Sequence, residues 1–89
     1  MMLKNLALRY IRKTERVFNV MKMNRNAVFI DVENIKEIID EAKRYLEDAK
    51  FYFEKRRFET SLVSVSYCEG LLDALRLLGL VYFSWEEAE

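Results

Sequence analysis

The chain has 89 residues, of which 52% are hydrophobic and 13% aromatic, with two glycines and no proline. This composition excludes a disordered or loop-rich protein and favours a single all-α domain over residues 1–89. The formal net charge is zero, which excludes a strongly basic or acidic protein. The charge is nevertheless uneven: residues 1–30 carry seven basic side chains against one acidic, and residues 31–89 carry eight against fourteen.

Cysteine content and the length of apolar runs indicate the cellular compartment of the protein. The single cysteine, Cys68, excludes an internal disulfide, and its apolar neighbours predict a buried thiol in a reducing compartment. The longest runs without a charged residue, 60–68 and 77–85, have nine residues each, whereas a membrane-spanning helix needs about twenty. Basic residues interrupt the apolar run that a secretory signal would need. We therefore expect a cytoplasmic protein without a membrane partner.

The first predicted helix, about residues 2–23, is amphipathic. Apolar or small side chains recur on one face at steps of three and four, which is the period of a helix packed on a core. They are Leu3, Ala7, Tyr10, Thr14, Val17 and Met21, flanked by Leu6, Ile11 and Phe18. The basic side chains that make candidate contacts to RNA or DNA phosphates are Arg9, Arg12, Lys13 and Arg16. A solvated face, balanced by the acidic half of the fold, is the favoured interpretation, and a helix lying on a membrane is the least favoured.

The second predicted helix, about residues 31–56, follows the only convincing linker. Asp31 suits the N-cap position, with Ile30 and Ile35 placed to pack as a hydrophobic staple. Apolar positions again alternate at three and four residues over some seven turns. They are Val32, Ile35, Ile39, Ala42, Leu46, Ala49 and Phe53. This pattern predicts a long helix packed at a shallow angle in a left-handed bundle.

A turn near residues 56–59 is predicted from phase alone, because the apolar pattern resumes out of step beyond it. The third predicted helix, about residues 59–78, is apolar over about half its circumference. A face this wide predicts contact with two helices of a bundle or with another chain. Gly79 suits the left-handed position after a helix C-terminus, and Gly70, inside the helix, predicts close approach of a neighbouring helix. The predicted fold is an up-and-down three-helix bundle built on a long helical hairpin.

Few residues in the chain favour catalysis. The absence of histidine removes histidine-dependent triads and di-iron sites with the Glu-x-x-His spacing, and no glycine-rich phosphate loop is present. Glu69 and Asp73 lie one helical turn apart, but we interpret them as exposed charges, with Asp73 contacting Arg76. We therefore predict a protein that is not an enzyme, with no catalytic residue, no cofactor and no metal site.

The hairpin sequence resembles a known family. Residues 42–55, AKRYLEDAKFYFEK, and residues 65–79, VSYCEGLLDALRLLG, are similar to the archaeal domain-of-unknown-function family 357. The resemblance implies a short up-and-down three-helix bundle without established catalytic residues. It also implies, for some relatives, an attached nucleotidyltransferase-like domain. Relatives tend to have glycine in the hairpin turn where this chain has Arg56 and Arg57.

The last ten residues, 80–89, form an aromatic and then acidic tail. We expect the aromatic side chains to pack over the open end of the bundle, and otherwise to form an exposed partner interface. Ser84 and Glu87 also resemble a capping box. The candidate protein interface is Tyr67, Leu71, Leu78, Tyr82, Phe83 and Trp85.

Three functions remain open from the sequence. The favoured one is a non-catalytic module or scaffold that binds a protein partner, including a second copy of the chain as a homodimer. The alternative is RNA or DNA binding through the basic face of the first helix. The weakest, an accessory domain of a nucleotide-handling enzyme, depends on the family resemblance alone.

Overall fold

The computed structural model describes residues 2–86, which form three helices: α1 (Met2–Val20), α2 (Val32–Glu54) and α3 (Phe58–Leu77). No strand occurs among these residues. The prediction of an all-α fold with three helices and a helical hairpin is confirmed. α1 ends three residues before its predicted end, and α2 ends two residues before its own.

The hairpin of α2 and α3 contains the buried core. Small side chains lie where the two helices meet, which allows close approach of the helix axes. The buried small residues are Ala42 and Ala49 from α2, and Ser64 and Cys68 from α3. Among residues 2–86, Leu75 is the largest fully buried side chain, at 1% exposure. The Ser61 hydroxyl donates to the backbone carbonyl of Ala49 at 2.7 Å, which joins the two helices through a hydrogen bond.

The start of α2 is capped as predicted. The Asp31 carboxylate accepts a hydrogen bond from the backbone N–H of Asn34 at 3.0 Å. The Asn34 side chain in turn accepts from the backbone N–H of Asp31 at 3.1 Å. This reciprocal capping box satisfies two N–H groups that have no partner inside the helix.

The predicted break between α2 and α3 is confirmed, and its geometry is a Schellman turn. Arg57 N–H donates to the carbonyl of Tyr52 at 2.9 Å, and Arg56 N–H donates to that of Phe53 at 3.0 Å. This pattern requires a left-handed residue after the helix, usually glycine. Arg56 occupies that position with φ of 61°.

α3 ends in the same type of turn, here with glycine at the left-handed position. Gly79 has φ of 73°, as its predicted role requires. Leu80 N–H donates to the carbonyl of Leu75 at 3.0 Å, and Gly79 N–H donates to that of Arg76 at 2.9 Å. The turn reverses the chain and directs the following aromatic segment back toward α3.

α1 lies apart from the hairpin, although its apolar face was expected to complete the shared core. None of its residues comes within 8 Å, Cα to Cα, of α2 or α3, and all of them are exposed. Residues 21–30, which join α1 to α2, contain neither helix nor strand. Gly70 also differs from expectation: a Cβ placed there would meet no atom within 4 Å, so no helix of the described chain lies against it.

None of the three helices has the combination of length and hydropathy that crossing a bilayer requires, within the part of the chain that the structure describes.

Candidate functional site: an apolar groove on the helical hairpin

A groove of about 660 Å³ runs along one side of the hairpin. Apolar and aromatic side chains make up most of its lining, and α3 contributes most of them because its apolar face is wider than α2 can cover. The lining residues are Glu41, Tyr45, Leu62, Val63, Ser66, Tyr67, Gly70 and Leu71. We call this surface the hairpin groove.

Two stacked tyrosines fix the shape of the hairpin groove. The rings of Tyr45 from α2 and Tyr67 from α3 lie 5.2 Å apart with an angle of 22° between their planes. Aromatic stacking of this kind holds both rings in defined positions. A partner would therefore meet a preformed aromatic wall.

The hairpin groove leaves large apolar side chains exposed to solvent. Leu62 is 66% exposed, Val63 55% and Tyr67 56%. Contiguous apolar surface of this kind is typical of binding sites. Tyr67 and Leu71, two of the interface residues that the sequence predicts, both lie here. Leu62 and Val63 were missed, although their positions on the wide apolar face of α3 could have indicated them.

Of the four other predicted interface residues, two are half-buried and two are exposed. Phe83 and Trp85 are half-buried and pack edge to face, with ring centroids 4.8 Å apart. Tyr82 is 93% exposed and Leu78 is also exposed. The expectation that the tail packs back is therefore met by two of its three aromatic side chains.

Trp85 extends the hairpin groove beyond its main hollow. A second hollow of about 270 Å³ is lined by Ser66, Glu69, Gly70, Asp73 and Trp85, and it shares Ser66 and Gly70 with the hairpin groove. The Ser84 hydroxyl accepts from the backbone N–H of Glu86 at 3.2 Å. The capping box predicted between Ser84 and Glu87 lies outside the described residues.

Asp73 anchors the tail through a single carboxylate oxygen. Its Oδ1 accepts from Arg76 Nε at 3.0 Å, from Arg76 Nη2 at 2.8 Å and from Trp85 Nε1 at 3.2 Å. The hydrogen bonds from Arg76, and then from Trp85, lower the pKa of Asp73. The carboxylate is therefore held in its ionised form, and the predicted contact between Asp73 and Arg76 is confirmed.

Cys68 lies in the helix interface and not in the hairpin groove. Burial raises the pKa of its thiol, and the nearby charge of Glu69 raises it further. A thiol with a raised pKa is a poor nucleophile. Among residues 2–86, no group of three or more cysteine, aspartate or glutamate side chains is placed to hold a metal ion.

The candidate nucleic-acid contacts lie on the exposed surface of α1. Arg9, Arg12 and Arg16 line one shallow hollow of about 400 Å³, so the structure brings these three together. Lys13 lies to one side, with its ammonium 5.5 Å from the centroid of the Tyr10 ring. Three guanidinium groups on one face of a helix can contact consecutive phosphates.

Comparison with known proteins places the chain in a family without assigning it an activity. The family model described as "Protein of unknown function (DUF357)" matches residues 9–81. The chain belongs to the DUF357 family. This match takes in most of α1 as well as the hairpin, and it stops before the aromatic tail residues Tyr82, Phe83 and Trp85. No curated protein and no solved structure matches the DUF357 chain.

Proposed function

We propose that this DUF357 chain is a non-catalytic protein-interaction module of the cytoplasm, which binds its partner by burying the hairpin groove. The observation that carries the proposal is the groove itself, since it is apolar, preformed and uncovered by any described residue. Tyrosine is enriched among the residues that dominate binding energy at interfaces. Tyr67, stacked on Tyr45 and still half-exposed, fits that role.

The titratable groups near the hairpin groove support binding over catalysis. A general acid or base needs a pKa near the working pH. The pKa of Asp73 is shifted away from neutrality by Arg76 and Trp85, and the raised pKa of Cys68 disfavours its thiolate.

Crosslinking from a native cell extract tests this function with matched variants of the full chain. Leu62→Glu and Val63→Glu place a charge in the hairpin groove, where both side chains are already exposed. Phe51→Glu makes the same kind of change outside the groove at a side chain that is 53% exposed. We expect proteins captured by the unchanged chain, in the presence of nuclease and high salt, to be retained by Phe51→Glu and lost by both groove variants. Equal capture by all four chains would contradict the proposal.

A second candidate function, RNA or DNA binding, has one observation in its favour: Arg9, Arg12 and Arg16 share a hollow on an uncovered helix. Phosphate binding by three arginines would make the logarithm of affinity fall with the logarithm of salt concentration, with a slope of about −2 to −3. Apolar burial in the hairpin groove would persist at high salt. A salt titration with single-stranded and duplex probes therefore separates the two functions.

A further inference from the structure

α1 requires a partner that its own hairpin does not supply in this structure. Most of the stability of a helix in a protein comes from packing of its apolar face, and none of the 19 residues of α1 is buried. α1 has no acidic residue in its first turn and no basic residue in its last, so the helix dipole receives no compensating charge. Its apolar face is nevertheless open to solvent: Leu3 is 60% exposed, Ile11 54% and Phe18 69%.

The uncovered area has the size of a dimer interface. A compact protein of this mass would expose about 5,500 Å², whereas this chain exposes 8402 Å². The radius of gyration is 16.0 Å, against about 12 Å for a compact chain of 89 residues. Two chains together would have an excess of roughly 5,800 Å², which is enough for the roughly 2,000 to 5,000 Å² that obligate dimers bury.

Charge favours pairing between α1 and a hairpin. Residues 1–30 carry six more basic than acidic side chains, and residues 31–89 carry six more acidic than basic ones. Two whole chains are each neutral and do not repel. The hairpin itself, residues 32–77, carries ten acidic and eight basic side chains, so the basic α1 of one chain and the mildly acidic hairpin of the other attract.

The linker is long enough for α1 to reach the hairpin groove of a second copy. Residues 21–30 contain no glycine, no proline and no residue with positive φ, and in the structure they leave α1 away from its own hairpin. An extended segment of this length spans about 33 Å. Its apolar end is also uncovered, with Phe29 at 95% exposure and Val28 at 60%. Two linkers lying side by side in a symmetric dimer would cover each other at these residues.

We propose that the hairpin groove holds α1 of a second copy, and that two chains exchange their α1 helices to form a symmetric dimer. Gly70 supports this arrangement. An interior helical glycine costs about 1 kcal/mol relative to alanine, and no atom of the described chain uses the space beside it. Because Gly70 lines the hairpin groove, that space admits the backbone of an incoming helix. The inference depends on the proposed interaction function and names the partner.

Sedimentation equilibrium of four full-length chains tests the exchange. Val17→Glu places a charge on the apolar face of α1, and Val63→Glu places one in the hairpin groove. Asn19→Glu adds the same charge on the polar face of α1 and is the matched control. Val17 lies on a helix that packs against nothing in its own chain, so its substitution leaves the hairpin folded, as circular dichroism would verify. We expect dimers for the unchanged chain and Asn19→Glu, and at least tenfold weaker dimerisation for the two other variants.

Mixing the two weakened variants identifies the exchange itself. A Val63→Glu chain keeps an intact α1, and a Val17→Glu chain keeps an intact hairpin groove. A mixed dimer therefore keeps one contact between an unchanged α1 and an unchanged hairpin groove. We expect the equimolar mixture to dimerise more tightly than either variant alone. No gain on mixing, or a dimer insensitive to Val17→Glu, would overturn the exchange.

A monomeric unchanged chain would also overturn the inference. If scattering gave that monomer a radius of gyration near 12 Å, α1 would be folded on its own hairpin; near 16.0 Å, α1 would be free. Neither result would decide the proposed interaction function, which fails separately if the Leu62→Glu and Val63→Glu chains capture the same cellular proteins as the unchanged chain.

Discussion

Arg56 holds a backbone conformation that glycine adopts at much lower cost. Its φ of 61° lies in the left-handed region, where a side chain costs about 1 to 2 kcal/mol. The Schellman hydrogen bonds of Arg56 and Arg57 keep the turn closed despite that cost. The backbone strain at Arg56 can thus be relieved by a substitution that alters no packed side chain.

Replacing Arg56 by glycine should stabilise the hairpin. We expect Arg56→Gly to raise the free energy of unfolding by about 0.5 to 1 kcal/mol, the relief of strain being partly offset by a more flexible unfolded chain. Urea denaturation followed by circular dichroism measures this change. Arg57→Gly is the control, because Arg57 has φ of −97° and its guanidinium lies 5.5 Å from the Tyr52 ring centroid. A loss of stability in Arg56→Gly would contradict the interpretation.

Asp73 makes the position of the tail dependent on pH. Its lowered pKa means that the contact with Trp85 contributes stability above the usual aspartate pKa of about 3.9, and that this contribution is lost as pH falls through the lower value in the folded state. Since Trp85 is the only tryptophan, its fluorescence reports the contact directly.

We expect the Trp85 emission to stay constant from pH 7 to about pH 4 and to shift to longer wavelength only below the usual aspartate value. Asp73→Ala should show the shifted emission already at pH 7. Glu69→Ala is the control, since Glu69 lines the same hollow and Trp85 donates its hydrogen bond to Asp73. Unchanged emission in Asp73→Ala would show that the tail does not depend on this carboxylate.

At the scale of the helices, the hairpin is held by a narrow line of small side chains ending at one large one. Leu75 is the only large side chain that is fully buried among the described residues. Ala49 and Cys68 fill the close contact between α2 and α3, where a larger residue would force the helices apart. The core is therefore small, and its stability depends strongly on Leu75.

Truncating Leu75 should destabilise the hairpin far more than truncating its exposed neighbour. We expect Leu75→Ala to lower the free energy of unfolding by about 2 to 4 kcal/mol. Leu77→Ala, at a side chain that is 73% exposed, should change it by less than about 1 kcal/mol. Thermal or urea denaturation compares the two, and equal losses would contradict the assignment of the core.

The sequence predicted those elements whose signals are local. Asp31 and Gly79 cap their helices as expected, because each occupies a position that few residue types fill well. The turn at Arg56 could be placed only by a change of phase, since arginine carries no signal for a left-handed conformation. Its exact hydrogen-bond pattern became visible only in the structure.

Part of the hairpin groove was also predictable from a local signal, the apolar pattern of α3. The wide apolar face of α3 indicated that Tyr67 and Leu71 meet a partner, and both line the hairpin groove. Periodicity does not say which partner covers a face. The apolar stripe of α1 was therefore assigned to the chain's own core, whereas the structure leaves it uncovered.

At the scale of the whole molecule, the chain has a folded hairpin and a detached helix, and their apolar surfaces and charges are complementary. Both parts fall largely within the DUF357 match, which begins inside α1. A single chain in this arrangement leaves the apolar face of α1 and the hairpin groove in contact with water. Pairing of two chains removes both surfaces from water in one step.

Isotope-filtered nuclear magnetic resonance on a mixture of labelled and unlabelled full-length chains tests this pairing most directly. The account predicts nuclear Overhauser effects between different chains, from methyl groups of α1 such as Val17 to the groove side chains Leu62, Val63 and Leu71. Effects from α1 to the groove confined to one chain, or absent altogether, would contradict it.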